Sequence, residues 1–315
     1  MPSNSGRERH SFQLKAVPPF RLELAVWTLR RRPENAIDRW DGQTYRRVLP
    51  LAGSPLEIAV TQFGSAAHPR LRVAIEGESL TGSLQRAATI ALEKLLGLNT
   101  DITPFYRLAS RDPKLRPLAH RFRGMKPPRF NTVFECLLNA IACQQVSLTV
   151  GILLLNRLAE RFGLPAINNR SAHAFPRPDD LVAINPHEIQ ALGFSRRKAE
   201  YIINLARGET EGTFDASQLA PMSNDEAIAR LMDLRGIGRW SAEYALLRGL
   251  GRWDVFPGDD VGAANKMVHW LGLRKPLDSA GVHRRLARWQ PYAGLVYFHL
   301  LLYGLADSGH LIAEL

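Results

Sequence analysis

Two aspartates, Asp259 and Asp260, stand side by side just before an apolar, helix-like stretch, VGAANKMVHWL (261–271). Either one suits the N-cap of that helix, where a short carboxylate accepts free backbone N–H groups. A carboxylate anchored in this way could also do chemistry. It could stabilise positive charge developing on a bound substrate, or orient and activate a water. About twenty residues upstream lies LRGIGRWSAEY (234–244), with two glycines flanking one isoleucine. Amide groups at a glycine turn that opens a helix suit an anion such as phosphate. The dinucleotide pattern G-x-G-x-x-G does not apply. Ser241 fills its third glycine position, and SNDEAIARLMDL before the turn has a helical rather than a strand pattern. A plain helical turn would use the same glycines for geometry alone.

The elements around these residues read as helix, hairpin, helix. Ser223 and Glu226 form a capping box that opens the first helix, and Met232 and Leu234 close it. Gly236 and Gly238 permit positive φ and close backbone approach, and Arg239 starts the second helix. From about residue 100 onward helices dominate. The pattern predicts them over 101–110, 112–122, 130–162, 178–191, 195–207, 223–233, 239–249, 260–271, 278–288 and 291–307. The N-terminal part has a different texture. Residues 12–31 and 44–79 mix β-branched and aromatic residues with turn signals, and LEIAVTQF and RLRVAIEG read as strands. The fold class is therefore mainly α. A smaller α/β domain with an antiparallel sheet occupies residues 1–98, with 1–10 disordered and a helix near 83–97, and a helical domain occupies 99–315. No repeat at a solenoid period is present.

The formal charge is +11 and the pI about 10.1; 7 of the 41 basic residues are lysine and 34 arginine. Such a surface favours polyanions, nucleic acid first among them. No polybasic run flanks an apolar helix to favour a membrane partner. The longest apolar run, residues 295–306, is too short to span a bilayer, and the N-terminus lacks an apolar signal core. The expected location is the cytoplasm. Cys136 and Cys143 are expected as buried reduced thiols on one helix face. Two thiols alone hold neither a four-thiolate cluster nor a Cys-rich zinc site. The histidines show no HExxH spacing, and no GxSxG or P-loop occurs.

LRGIGRWSAEYALLRG resembles the helix-hairpin-helix motif of the DNA glycosylases. WDVFPGDD resembles the loop and catalytic aspartate that follow it in that superfamily. LLNAIACQQVS (137–147), LGFSRRKAEYI (192–202) and RWQPYAGLVYFHL (288–300) extend the likeness over residues 99–315. The match is strongest to the bacterial 3-methyladenine DNA glycosylase II type. The N-terminal part resembles that family's extra β-rich domain only loosely.

The resemblance implies a two-lobed helical domain with the active cleft between its lobes. It places the catalytic carboxylate on Asp260. An N-glycosidic bond breaks through a cationic sugar, which one nearby anion can stabilise. A purine alkylated at N3 or N7 is already cationic, so it leaves without strong protonation. Strand-cleaving members carry a lysine two residues after the second hairpin glycine. Trp240 stands there instead, which implies a monofunctional, water-using enzyme. Trp240 and Tyr244 share a helix face and would stack on the flipped base, although core packing would use the same spacing. Some relatives add an aromatic on the last helix, where this chain has Leu301 with Tyr297 and Tyr303 nearby; Trp27 is a further pocket candidate beside its core reading.

Gln145, preceded by Gln144, corresponds to the wedge that fills the gap left by a flipped base. The amides of Gly236, Gly238 and Ser241, with Arg239, would grip phosphate. Arg196, Arg197, Lys198 and Lys266 are further phosphate candidates and equally ordinary surface charges. No cofactor is required. A structural Na+ or K+ on the carbonyls of Met232, Leu234 and Ile237 is implied by the family alone. The expected activity is release of 3-methyladenine, 7-methylguanine and also hypoxanthine from double-stranded DNA by a monomer. The alternatives are a non-enzymatic DNA-binding protein on the same scaffold, or a glycosylase for oxidised or deaminated bases.

Overall fold

The computed structural model describes residues 9–76, 81–167 and 169–311. The chain opens with β1 (Arg9–Lys15), α1 (Leu22–Arg30), β2 (Arg39–Trp40), β3 (Thr44–Leu51), β4 (Ser54–Phe63), β5 (Arg70–Glu76) and α2 (Gly82–Leu96). The strands form one antiparallel sheet in the order β1-β5-β4-β3-β2. Alternation sets its buried face: Leu56, Ile58 and Val60 of β4 lie beside Leu71, Val73 and Ile75 of β5, in the register Val60↔Val73 and Ile58↔Ile75. Of the stretch expected to be disordered, residues 9 and 10 belong to β1; residues 1–8 lie outside the described residues.

Residues 22–30 differ from the strand-like texture read there. LELAVWTLR is a helix, α1, buried on nearly all sides. A helix enclosed all round loses its polar stripe and with it the 3.6-residue signal. Its two faces join different cores. Leu22, Ala25, Val26 and Leu29 pack with the sheet, whereas Leu24 and Trp27 pack with the C-terminal helices. It ends at Arg31, whose φ of 62° is left-handed and whose N–H bonds to Trp27 O.

The helical part contains α3 (Thr103–Ser110), α4 (Leu115–Arg121), α5 (Val133–Cys143), α6 (Leu148–Phe162), α7 (Pro178–Leu181), α8 (Pro186–Ala191), α9 (Arg196–Thr210), α10 (Asn224–Met232), α11 (Arg239–Ala245), α12 (Val261–Leu271), α13 (Ser279–Leu286) and α14 (Ala293–Asp307). The helix expected over 130–162 is broken at Gln144–Ser147, because Ser147 caps a new helix by accepting Val150 N–H. The helix expected over 178–191 is broken where Asn185 caps α8 and Pro186 begins it. α11 runs on into a π-helical turn, Leu246–Leu250.

Among the described residues two large apolar cores result, beside a small cluster of Val48, Ala166, Ala172 and Ala174. One runs from the sheet through α2 into α5, α6 and α9–α11; the other joins α3, α4 and α12–α14. A buried ion triad fastens the sheet to α5: Arg47 donates to Asp38 at 2.8 Å and to Glu135 at 2.5 Å, and Tyr45 OH also donates to Asp38. Among the described residues no helix is long and apolar enough to cross a membrane.

Candidate active site

A cleft of about 840 Å³ separates the two cores; it is lined by α11 on one side, α12 and α14 on the other, and the α5–α6 loop at its mouth. The volume falls in the range of small-molecule sites.

Asp260 sits on its floor as the N-cap of α12. Its Oδ1 accepts Ala263 N–H at 2.8 Å, and its Oδ2 accepts the Tyr297 hydroxyl at 3.0 Å. The capping and chemical readings of this aspartate are therefore compatible, since each oxygen retains further acceptor capacity. Asp259 is exposed and also lines the cleft, but it is not the cap. The loop before the pair is held by buried Glu243, which accepts Gly258 N–H at 3.1 Å and pairs with Arg239 at 3.0 Å. Position 258 is crowded: a Cβ there would lie 2.5 Å from His283 Nε2 and 2.6 Å from Ser279 Oγ, so a side chain would have to displace them. Lys266 lines the same cleft one helix turn on, its amine 3.3 Å from Gly262 O. Burial lowers its pKa against the opposing pull of Asp260.

Trp240 and Tyr244 form an aromatic wall opposite, with ring centroids 5.5 Å apart and planes 30° apart. Leu301 and Tyr297 line the cleft from α14, four residues apart on one face. Leu301 is thus where the sequence expected the pocket's third side, with an aliphatic rather than aromatic surface. Trp27 corrects the expectation for it. It is 8% exposed in the C-terminal core, stacked at 6.2 Å on His310, and does not line the cleft.

The N-terminal region contributes Arg31 instead. Its Nη1 donates to Tyr244 OH at 3.0 Å and its Nη2 to Asn139 Oδ1 at 2.5 Å. Burial pushes the Tyr244 phenol up to about 12, against the opposing effect of Arg248 and Arg31. Arg32 also lines the cleft and reaches Thr149. Neither arginine was singled out from the sequence. The only trace is a run of three arginines, 30–32, ending an apolar segment without a glycine.

The hairpin between α10 and α11 has the expected caps, including the Ser223–Glu226 box. Its two glycines differ, however. Gly236 has φ 92°, and a Cβ there would meet the Tyr201 ring at 2.2 Å. Gly238 has an ordinary φ of −93° and nothing within 4 Å of a Cβ, so it does not supply the positive φ expected of it. The fold demands the first glycine but not the second. Gly238 caps α11 with its bare face open. Ser241 is buried and Arg239 half exposed beside it. A second groove, of about 420 Å³, runs along the hairpin and includes Met232, Leu234 and Ile237 with Arg197 and Arg235.

Gln144 and Gln145 have different roles. The Gln144 amide donates to Gly236 O at 2.9 Å and to Ser241 Oγ at 3.1 Å, tying the loop to the hairpin rather than reaching outward. Lys198 reinforces the loop by donating to Ala142 O and Gln144 O. Its amine therefore serves the loop and not solvent. Gln145 is exposed at the rim, with φ 55°. Cys136 is buried as expected, but Cys143 is only half-buried, because α5 ends there and the cleft begins. No cluster of His, Cys, Asp and Glu able to hold a metal occurs among the described residues. Carbonyl ligands are a separate matter: Leu234 O already accepts Ile237 N–H at 3.0 Å, and a carbonyl keeps a second lone pair for an alkali ion.

Residues 138–291 match the family described as HhH-GPD superfamily base excision DNA repair protein. A DNA-3-methyladenine glycosylase of Bacillus subtilis (strain 168) is 30% identical over 208 residues, which are 65% of this chain and 69% of that protein. DNA-3-methyladenine glycosylase 2 of Escherichia coli (strain K12) is 32% identical over 178 residues, 56% of this chain and 60% of that protein. Among solved structures, a 3-methyladenine DNA glycosylase from Archaeoglobus fulgidus superimposes with a TM-score of 0.80 at 27% identity. The superposition covers 94% of this chain and 99% of that one, so the likeness includes the N-terminal sheet.

Proposed function

This chain belongs to the helix-hairpin-helix (HhH-GPD) superfamily of base excision DNA repair proteins, and on that premise we propose that it is a monofunctional glycosylase releasing alkylated bases from double-stranded DNA. The substrates are 3-methyladenine, 7-methylguanine and also hypoxanthine. The observation that carries the reading is Asp260. It is a carboxylate fixed through both oxygens on the floor of a base-sized cleft, facing an aromatic wall.

The damaged nucleotide swings out of the duplex into the cleft, and its base stacks on Trp240 and Tyr244 against Leu301. Gln145, exposed at the rim, enters the gap left behind. Asp260 stabilises the cationic sugar as the glycosidic bond breaks and orients the water that adds to C1′. The hairpin amides from Gly236 to Ser241 and the Arg239 side chain take the phosphates beside the lesion. The unfilled face of Gly238 supports that placement, since it leaves room for another backbone to approach. If a Na+ or K+ binds, the carbonyls of Met232, Leu234 and Ile237 hold it and it adds positive charge near that phosphate. Trp240 occupies the position of the lyase lysine, which favours water as the nucleophile. The enzyme acts as a monomer in the cytoplasm, with residues 1–98 as an accessory domain seated on the catalytic one.

The test is release of free base from alkylated duplex DNA, identified by mass, with Asp260→Asn as the control. Release of methylated purines that disappears in the variant supports the reading. Duplex binding without release of any base would favour a non-enzymatic DNA-binding protein, and full activity in a folded Asp260→Asn would remove the mechanism.

A further inference from the structure

Arg31 lies outside the family-matched stretch 138–291, yet it lines the cleft, bonded to the Tyr244 hydroxyl of the aromatic wall. Only 5% of it is exposed. Its hydrogen-bond partners, the Tyr244 phenol and the Asn139 amide, are both neutral, and its Nε is buried with no partner. A second guanidinium lies behind the wall. Arg248 is fully buried and sits 5.6 Å from the Tyr244 ring and 4.9 Å from Phe130. It donates to Thr28 O, and its Nε and Nη1 have no partner. Asp38 acts on Arg31 only through its field, with no hydrogen bond between them, and burying a cation with no anion in contact is costly. Its retention at the edge of a binding cleft is explained if negative charge arrives there during function.

For a cationic alkylated purine none does. Its C1′–N9 bond breaks, the electron pair passes to the base, and the base leaves neutral. A nearby guanidinium gives it no assistance and repels the bound cation. An uncharged base is different. When its glycosidic bond breaks, the base carries off the electron pair as an anion. In a 6-oxopurine that charge spreads onto the carbonyl oxygen. A donor already in place at that oxygen lowers the barrier. Water then bonds to C1′, and its proton passes through Asp260 to a nitrogen of the departing base. The net change is hydrolysis, with Arg31 protonated throughout.

Building on the glycosylase reading, we propose that Arg31 is a catalytic residue for uncharged bases. It binds the carbonyl edge of a 6-oxopurine and stabilises the anion as that base departs, so one cleft serves both neutral and cationic lesions.

The experiment measures single-turnover release of hypoxanthine and of 7-methylguanine from matched duplexes by the full chain. The wild type is compared with Arg31→Met and Asn139→Asp. The second variant sets a carboxylate where Oδ1 already accepts from Arg31, so it cancels the charge with no change of volume. It also reads the same quantity should Arg31→Met not fold. The ratio of hypoxanthine to 7-methylguanine release is expected to fall about a hundredfold in Arg31→Met, the effect of losing one preorganised donor to an anion, and to fall in the same direction in Asn139→Asp, which keeps the donor but offsets its charge. A ratio within about threefold of wild type in the folded variants would overturn the proposal and assign Arg31 a structural role. So would wild-type release of 7-methylguanine without hypoxanthine. If the wild type releases neither base, the glycosylase reading itself falls, and this inference with it.

Discussion

The Tyr297 hydroxyl donates to Asp260 Oδ2 at 3.0 Å while the Ala263 amide holds Oδ1 at 2.8 Å, so helices α14 and α12 together fix one carboxylate. Burial, with Asp260 adding to it, pushes the Tyr297 phenol well above its ordinary value of 10. The hydroxyl therefore keeps its proton over the working range of a carboxylate and cannot leave the contact by titrating.

Tyr297→Phe removes that donor and keeps the ring, which packs against Phe256 at 5.4 Å. A hydrogen bond to a charged group is worth about 1.5–3 kcal/mol, so the single-turnover rate should fall by roughly 10- to 100-fold. The Kd for lesion-containing duplex should change little, because the bond orients the carboxylate rather than the DNA. A rate equal to wild type would reduce Tyr297 to a packing residue. No alkaline fall in rate between pH 8 and about 10 should trace to this tyrosine, since the raised value keeps it neutral there.

The two hairpin glycines separate folding from binding. Gly236→Ala must find room against the Tyr201 ring and adopt a φ of 92°, so it should lose stability by about 1–3 kcal/mol, read as a lower Tm. Gly238→Ala meets nothing within 4 Å and keeps an ordinary φ, so its Tm should stay close to wild type. Its affinity for duplex DNA should nonetheless drop, because the added methyl projects where a phosphate backbone approaches. Unchanged affinity in Gly238→Ala would mean that the hairpin does not touch DNA through this face.

How much of this was legible depends on the range of the interactions. The hairpin, its capping box, the start of α11 and the α12 cap are local patterns, and LRGIGRWSAEY and GDDVGAAN carry them in a few adjacent residues. The break at Gln144–Ser147 is also local, but the apolar residues on both sides run in one helical rhythm that hides it. Gln144 reads as a polar loop residue; only the fold shows its amide spent on Gly236 O. Arg31 is the extreme case. Its partners Tyr244 and Asn139 lie 213 and 108 residues away, and the triad of Asp38, Arg47 and Glu135 likewise spans both regions. Trp27 fails for the complementary reason. An aromatic on a fully buried helix faces one of two cores, and the sequence does not say which.

The absence of a lysine at position 240 can be tested directly. Borohydride reduction during turnover traps a covalent enzyme–DNA adduct only where an amine has attacked C1′. No adduct is expected. Lys266 is the informative control, since its amine lines the cleft with a lowered pKa but is held toward Gly262 O. An adduct that vanished in Lys266→Ala would show that this amine reaches the sugar, and would replace the monofunctional assignment with a lyase one.

Acid stability should depend on a buried residue that does not line the cleft. His299 is fully buried on α14 with its ring 4.9 Å from Phe105. Its Nδ1–H donates to Leu295 O, and its Nε2 has no partner. Burial pulls its pKa down from 6.5 to about 4, although the bond to Leu295 O acts the other way. The folded protein therefore binds this proton less readily than the unfolded chain does. Stability is unaffected above about pH 6.5, falls as the pH drops toward 4, and levels off below that; the full loss is about 3 kcal/mol. Thermal melts of wild type and His299→Gln at pH 7.5 and pH 4.5 check this. The substitution lowers the Tm at both values by whatever packing it disturbs, but the gap between the two should be several degrees smaller in the variant. Equal gaps would mean that His299 takes up its proton in the fold as easily as in the unfolded chain.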